Sequence, residues 1–288
     1  MLTWDNIPEN FAYLSDGTPF LQEKTATLRS YYSVDTIRKA CEKGLRALVA
    51  DGVHKILPAQ LGDQAQLYTI HGVCESGHKV PLVHALTKNK TQATYEKIFG
   101  RLQQELQTLA PNLSPPRIIL DFEVTAINAV GNVFRTASIE GCIFHLSQSW
   151  NRRRNALGNR KYLKGESRCR MVSKWCRTLK GIPFLPANLL RRLPGLVRPS
   201  LPRSHVAYQK CQEFLDYLHD TWMRGPFRNL WYEWDLTELR TTNLAEAYHR
   251  YMCLTYSKTV HSLLERIRRE NTIAVAKLIS LDRVRHIQ

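Results

Sequence analysis

The 288-residue sequence lacks any apolar run long enough to cross a membrane, which takes about 18 consecutive apolar residues. Its first residues include Asp5, Glu9 and Asp16, where a secretory signal would need an apolar core. We therefore expect a protein that is neither exported nor inserted in a membrane.

Cysteine is sparse and shows no pattern. The seven cysteines are scattered along the chain, and no two of them form a Cys-x-x-Cys pair. An odd number without close pairs argues against a disulfide framework and against a four-cysteine zinc module. A reducing compartment fits this usage better than an oxidising one.

Several common catalytic signatures are also missing. The chain contains no Walker loop, no dinucleotide-binding glycine fingerprint, no Gly-x-Ser-x-Gly elbow and no His-Glu-x-x-His pattern. A complete two-cysteine, two-histidine finger is missing too. These absences exclude the commonest nucleotide hydrolases, dehydrogenases, esterases and metalloproteases.

Acidic residues are almost absent from residues 146–205. This segment holds fifteen Lys and Arg against one acid, Glu166, whereas the other 228 residues hold 26 Lys and Arg against 24 Asp and Glu. So long a run favours sequence-tolerant, salt-dependent contact with DNA phosphates over a merely solvated basic face, an acidic protein partner or an anionic membrane surface. The residues predicted to contact DNA are Arg152, Arg153, Arg154, Arg160, Lys161, Lys164, Arg168, Arg170 and Lys174.

Apolar periodicity predicts a chain in which strands and helices alternate, as in α/β proteins. The predicted strands are 46–56, 66–73, 79–86, 117–120 and 139–145, and the predicted helices are 34–44, 91–110, 126–134, one from about Leu146, 206–223 and 258–280. The first three core strands should form a meander, with a hairpin at Glu75–His78.

This pattern predicts four regions. Residues 1–45 form an N-terminal extension, a loop followed by a short helix. Residues 46–158 form the first part of the core, and residues 159–227 form a basic helical insertion in which prolines interrupt the helices. Residues 228–288 return to the core and end in a helix.

Three acids stand at positions that favour chemistry. Asp51 lies in an apolar run, where a buried carboxylate needs a partner. Asp121 ends the 117–120 strand, at the edge where open α/β sheets bind ligands, and Glu246 opens a helix. If the two strands are neighbours, these oxygens can hold divalent cations, and a pair of such cations promotes phosphoryl transfer.

Each acid also has a purely structural interpretation. Asp51 could be a turn or ion-pair residue, and Asp121 could cap the following helix. Glu246 could be the third-position partner of Asn243 in a capping box. Glu123, two residues after Asp121, is a competing ligand that spacing alone does not exclude.

Two further groups could belong to such a site. Cys142 and His145 form a Cys-x-x-His pair, and His249 lies three residues beyond Glu246 on the same helical face. One pair is weak evidence for zinc, since a structural zinc site needs four ligands, and structural packing is the preferred interpretation. His145 could instead orient the metal-binding carboxylates.

Four blocks of the sequence resemble the transposases of Mutator-like elements (MULE). The blocks are ADGVHKILP from Ala50, QLYTIHGV with VPLVHAL from Gln66 and Val80, ILDFEVTAINAV with GCIFHLSQSWNRR from Ile119 and Gly141, and RTTNLAEAYHRYM from Arg240. The resemblance runs from Asp51 to about Tyr251, so it covers most of the chain.

The resemblance implies an α/β fold with a ribonuclease H-like mixed sheet flanked by helices, and an all-helical basic insertion before the last catalytic acid. It identifies Asp51, Asp121 and Glu246 as the catalytic, metal-binding acids, with Glu238 as an alternative to the last. The supporting residues that it implies are Cys142, His145 and His249. The implied cofactors are two Mg²⁺ or Mn²⁺ ions, and zinc has no support beyond the single pair.

We therefore predict a nuclear DNA transposase that cleaves a phosphodiester with bound metal and transfers the resulting 3′-hydroxyl to target DNA. DNA is the expected partner, and a homo-oligomer is possible. One alternative is a domesticated, non-catalytic protein that binds DNA or chromatin and keeps the fold. Another is a structure-specific nuclease, which would cut branched DNA and never join ends.

Overall fold

A computed structural model describes residues 8–54, 57, 61, 65–75, 77–190, 192–232, 241–255 and 259–285. The chain divides into two compact units. The first, here called the sheet unit, consists of Met1–Ile139 and Thr242–Gln288, and the second, the helical unit, consists of Glu140–Thr241. The helical unit contains the predicted insertion 159–227, but it begins earlier and ends later.

Seven strands and ten α-helices are present in the described residues. The strands are β1 (Leu21–Lys24), β2 (Leu28–Tyr31), β3 (Leu45–Val53), β4 (Gln66–Cys74), β5 (Lys79–Thr87), β6 (Arg117–Leu120) and β7 (Ile139–Gly141). The helices are α1 (Val34–Glu42), α2 (Gln92–Leu109), α3 (Val124–Val133), α4 (Ile143–Ala156), α5 (Arg170–Gly181), α6 (Ala187–Leu190), α7 (Pro194–Val197), α8 (Tyr208–Tyr217), α9 (Asn243–Thr255) and α10 (Val260–Arg285).

The strands form one mixed sheet in the order β1-β2-β5-β4-β3-β6-β7. Strands β3, β4 and β5 are antiparallel neighbours, which confirms the predicted meander. The hairpin between β4 and β5 closes with the Cys74 N–H donating to the His78 carbonyl, and Gly77 takes a positive φ of 76°. Strand β6 pairs with β3 in parallel, as a strand after a helical crossover should.

Alternation along the strands divides the apolar residues between two cores, one on each face of the sheet. On the first face, Leu48 and Ile118 pack with residues of α2 and α3, such as Phe99 and Val130. On the second face, Leu67 packs in a cluster with residues of α9 and α10, including Met252 and Leu263. Both faces are therefore covered by helices, as the sequence predicted.

Two sequence predictions were wrong at the level of single elements. The extension 1–45 contains β1 and β2, where only a loop and a helix were predicted. These strands have four residues each, too few for alternation to be recognised. The predicted strand 139–145 ends at Gly141, and α4 begins at Ile143, because a short apolar run does not distinguish strand from helix.

Helices make up the helical unit, with the end of β7 as its one strand segment in the described residues. Buried tryptophans fill its interior, where Trp150 meets Trp222 and Trp231 in T-shaped contacts. The predicted helix 206–223 is α8 followed by a π-helical turn, Leu218–Met223.

The six cysteines whose side chains are described form no disulfide. Within the described part of the chain, no helix combines the length and apolar character that a membrane span requires.

Candidate active site

The pairing of β3 with β6 determines where the first two acids lie. The parallel register matches Ala47 with Arg117 and Val49 with Ile119. The observed pairing ends at Val49 and Ile119, and β6 ends at Leu120. Because neighbouring strands are about 4.8 Å apart and side chains alternate between faces, the register continued by two residues would bring Asp51 and Asp121 opposite each other on one face of the sheet.

The Asp51 carboxylate is buried and held on two sides. Its side chain is part of a residue only 5% exposed, and its Oδ1 accepts a hydrogen bond of 2.9 Å from the Gly52 N–H. Its Oδ2 lies 3.4 Å from Nδ1 of His249. The other ring nitrogen of His249, Nε2, lies 2.8 Å from Oγ1 of Thr69, the residue paired with Asp51 on β4. His249 thus links the carboxylate to the neighbouring strand.

Helix α9 carries the third acid, Glu246, one turn before His249. Glu246 and His249 are three residues apart, so they lie one above the other on the helix. The helix begins at Asn243, and the hydroxyl of Thr242 donates to Oε1 of Glu246 over 3.3 Å. Thr242 therefore occupies the cap that the sequence interpretation gave to Asn243, and Glu246 stands one turn before the histidine that contacts Asp51.

The competing acid Glu123 is engaged elsewhere. Its Oε1 accepts hydrogen bonds of 2.8 Å from the Tyr95 hydroxyl and 2.9 Å from the Thr125 hydroxyl, and Lys90 Nζ lies 3.5 Å from its Oε2. Glu123 also occupies the N-cap position of α3, which the sequence interpretation allowed for Asp121. The Glu123 carboxylate is therefore held by side chains of α2 and α3 and by Lys90.

Tyr68 is a buried phenol of β4 near this end of the sheet. Burial raises its pKa well above the usual range, and the charges of Asp121, Asp51 and Glu123 raise it further. Its hydroxyl has no hydrogen-bond partner among the described residues. We therefore expect Tyr68 to stay protonated.

A group of buried polar residues lies beside Asp51 under α9, and the sequence interpretation missed it. The Tyr248 hydroxyl lies 2.6 Å from Nε2 of His84, and the ring of His71 packs edge-on against the Tyr248 ring. Burial lowers the pKa of His84 to about 3 and that of His71 well below its usual value, and the nearby His249 lowers both further. Alternation along β4, which places Thr69 and His71 on one face, was the available signal.

The donor set of these acids fits hard divalent cations. Asp51, Asp121 and Glu246 offer only carboxylate oxygens, the ligands that Mg²⁺ and Mn²⁺ prefer. Within the described residues of the sheet unit, no three such ligand atoms all lie within 4.8 Å of one another.

The Cys-x-x-His pair lies in the helical unit at the start of α4. Cys142 occupies the N-cap position and is buried, and its Sγ lies within 4.8 Å of a ring nitrogen of His145. The pair supplies two of the four ligands of a structural zinc site, so zinc at this position stays a prediction.

The nine residues predicted to contact DNA all lie in the helical unit. Eight of them are exposed and Arg154 is half-buried. None of the nine has a carboxylate within 4.0 Å in the part of the chain that the structure describes. Their positive charge therefore stays available to a phosphate backbone.

Comparison with known families gives one match. Residues 59–149 match the family model described as the MULE transposase domain, which confirms the resemblance found in the sequence. The matched segment includes Asp121, Cys142 and His145, whereas Asp51 and Glu246 fall outside it. No curated protein matches the chain. The matched domain indicates a transposase-related function and an interaction with DNA.

Proposed function

We propose, from the match to the MULE transposase domain over residues 59–149, that this chain is a DNA transposase whose sheet unit carries the catalytic site. The reaction would be metal-dependent cleavage of a phosphodiester followed by transfer of the 3′-hydroxyl to target DNA. The observation that carries the proposal is the parallel pairing of β3 with β6, because the same register continued by two residues would bring Asp51 opposite Asp121.

Asp51, Asp121 and Glu246 would hold two Mg²⁺ or Mn²⁺ ions through their oxygens. The bound cations would activate the attacking oxygen and compensate the charge that develops on the phosphate. The protein's own task is to hold these carboxylates in a fixed arrangement, since a rigid ligand set needs no reorganisation during the reaction.

His249 serves this arrangement as a positioning residue. When the Thr69 hydroxyl donates to Nε2, the imidazole proton stays on Nδ1 and faces Asp51. This orients the Asp51 carboxylate, in the way that hydrogen-bonded partners fix metal ligands in other sites. Because His249 and Glu246 share one face of α9, docking of this helix positions both residues at once.

A plasmid-cleavage assay with purified protein and Mg²⁺ or Mn²⁺ tests the proposal. Asp51→Asn and Asp121→Asn should each abolish nicking and leave DNA binding nearly unchanged, because both substitutions keep the size of the side chain and remove its charge. Glu123→Gln is the matched control: it neutralises an acid of the same edge whose carboxylate bonds to Tyr95 and Thr125, and nicking should persist. Equal nicking by the parent and both aspartate variants would overturn the assignment.

The same assay separates the two alternative functions. Salt-sensitive DNA binding without nicking at any divalent cation indicates a domesticated, non-catalytic protein. Cleavage of branched DNA without joined products indicates a structure-specific nuclease. Joined donor and target DNA is the outcome that the transposase proposal requires.

A further inference from the structure

A concave site of a different kind lies inside the helical unit. A surface pocket of about 260 Å³ is lined by four cationic side chains, by Leu163 and Cys176, and by Ser173. The four cations are Arg154 from α4, Arg168 from the segment before α5, and Arg177 and Lys180 from α5. This volume is several times the roughly 30 Å³ that one water occupies in the liquid, so the pocket has room for a larger polar group.

The sequence of α5 explains how the pocket forms. Helix α5 buries Val172, Trp175, Cys176 and Leu179. Ser173, Arg177 and Lys180 follow the spacing i, i+4, i+7, which places them on one second stripe of the helix. A stripe at this spacing is usually apolar when it faces a concave surface. Here it is polar and basic, and it turns toward Arg154 and Arg168.

The cations of the pocket have no anionic partner in the described residues. No carboxylate lies within 4.0 Å of any of the four. Arg154 is half-buried, and among the described residues its guanidinium donates to the neutral Asn155 amide oxygen, over 3.3 and 3.0 Å. Burial lowers the pKa of Arg154, the Cys176 thiol raises it, and the nearby charge of Arg160 lowers it again. A partly desolvated cation without a counter-charge is costly, and a bound anion would offset that cost.

Ser173 lines the pocket and carries a neutral donor. Its Oγ is buried and has no hydrogen-bond partner among the described residues. Its backbone N–H donates to the Cys169 carbonyl over 3.0 Å. Buried polar atoms normally have partners, and an unpartnered one beside four cations indicates a ligand that accepts hydrogen bonds.

We propose that this pocket binds one phosphate group of a nucleic-acid backbone. Arginine guanidinium groups match phosphate oxygens with two parallel hydrogen bonds, Lys180 adds a further positive charge, and the Ser173 hydroxyl donates to an oxygen. The inference deepens the proposed function, because it assigns one defined phosphate-binding site among the basic residues of the helical unit. It depends on that function only for the source of the phosphate, and it is independent of the chemistry at Asp51.

A pair of charge-matched double variants tests the pocket by fluorescence anisotropy on a labelled DNA duplex. Arg168→Gln/Arg177→Gln removes two pocket charges. Arg198→Gln/Arg203→Gln removes two exposed charges of the same unit outside the pocket. The pocket variant should lose about 10- to 100-fold in affinity and reduce the salt slope by about 1, and the matched variant should lose less than about threefold. Equal losses in the two variants would show that the surface acts only through its total charge and would overturn the pocket.

Ser173→Ala examines the same pocket without changing its charge. It should lower DNA affinity by about threefold or more with an unchanged salt slope, since one hydrogen bond to a charged group is worth more than about 0.6 kcal/mol. Circular dichroism melts of every variant exclude unfolding as the cause. An unchanged affinity in Ser173→Ala, together with equal losses in the two double variants, leaves no role for the pocket.

Inorganic phosphate separates failure of the pocket from failure of the proposed function. If the parent protein binds no DNA, the proposed function fails, and thermal stabilisation by millimolar phosphate becomes the deciding measurement. Stabilisation of the parent and of Arg198→Gln/Arg203→Gln, but not of Arg168→Gln/Arg177→Gln, would support a site for free phosphate. Equal stabilisation of all three proteins, or of none, would overturn the pocket.

Discussion

The sheet unit and the basic segment 146–205 of the helical unit treat charge in opposite ways. In the sheet unit, cations lie beside carboxylates, as Arg101 does with Glu23 over 2.9 Å and Arg266 with Glu270 over 2.8 Å. The helical unit has such a pair outside the basic segment, Arg224 with Asp220 over 2.8 Å, but its basic residues between Arg152 and Lys180 have no carboxylate within 4.0 Å in the described residues. The sheet unit therefore pairs cations with its own acids, and the basic segment leaves its cations for a partner.

This difference predicts that mutations can change DNA affinity and DNA cleavage separately. Carboxylates that bind catalytic cations need a local balance of charge, because excess cations nearby would compete with the metal. A surface that binds a DNA duplex instead needs a positive electrostatic field that acidic residues do not offset. Variants of the sheet unit should consequently leave DNA affinity almost unchanged, and variants of the helical unit should leave the chemistry of the cleavage site almost unchanged.

The largest expected effect is the salt dependence of the helical unit. If six or more of its cations contact phosphates, raising the salt from 50 to 200 mM should lower DNA affinity by about 1,000-fold or more. Anisotropy titrations at several salt concentrations measure this slope. Asp51→Asn, in the sheet unit, should give the same slope as the parent. A parent protein whose DNA affinity does not change with salt would contradict the claim that the helical unit leaves its cations for phosphates.

The next effect concerns the contact of His249 with Asp51 and Thr69. His249→Ala should lower the cleavage rate by about 10- to 100-fold, because partners of metal ligands contribute to this extent, and should leave DNA affinity unchanged. It should also raise the Mn²⁺ concentration needed for half-maximal cleavage. His261→Ala, at an exposed histidine of α10, is the control and should keep parental kinetics. A normal metal requirement in His249→Ala would remove its positioning role.

A pH effect of intermediate size should come from His71 and His84. Both are neutral in the fold because their pKa values are depressed, His84 to about 3, whereas an unfolded histidine binds a proton below about pH 6.5. The unfolded state thus takes up more protons, so stability is retained above about pH 6.5. It falls as the pH drops toward 3, by about 1.4 kcal/mol per pH unit for each histidine.

Urea unfolding between pH 4 and 7 measures that slope. His84→Gln can keep the hydrogen bond to Tyr248 and removes one titrating group, so its unfolding free energy should depend less steeply on pH. Identical slopes for the parent and this variant would show that His84 is not buried as a neutral ring.

The smallest effect distinguishes two glycines of the sheet unit. A Cβ at Gly52 would overlap Oε1 of Gln66 and approach Cδ2 of Tyr68 to 3.2 Å, so Gly52→Ala should cost about 1–3 kcal/mol of unfolding free energy. A Cβ at Gly100, in α2, meets no atom within 4 Å, so Gly100→Ala should stabilise the protein by up to about 1 kcal/mol. Thermal melts compare the two, and equal shifts would contradict the close packing around Asp51.

Much of the sheet unit could be predicted from local pattern. The strands β3, β4 and β5 of the meander and helix α2 all have enough residues for their periodicity to show, and the four-residue strand β6 is recognisable from its uninterrupted apolar run. Strands β1 and β2 have only four residues each, and β2 is held by pairing with β5, a long-range contact that the local sequence does not encode. Short elements that depend on tertiary partners are invisible to periodicity.

The candidate site also has features that the sequence could predict and features that it could not. The sequence allowed Asp51 and Asp121 to meet only if their strands were neighbours, and the β3–β6 register supplies that condition. The contact of Thr69 with His249 joins residues 180 positions apart, so no spacing rule could find it. The engagement of Glu123 by Tyr95 was equally hidden, because it depends on how α2 packs.

The division of the sheet unit into two stretches, Met1–Ile139 and Thr242–Gln288, fixes the order in which the molecule is completed during synthesis. The ribosome makes every strand first, then the whole helical unit, and only then α9 and α10. Until those helices emerge, the apolar side chains of Leu67 and Leu86 on one side of the sheet stay uncovered. A product interrupted between residues 206 and 241 would carry the whole basic segment 146–205 but neither Glu246 nor His249, so we expect such a fragment to occupy DNA and compete with the intact protein without cutting it.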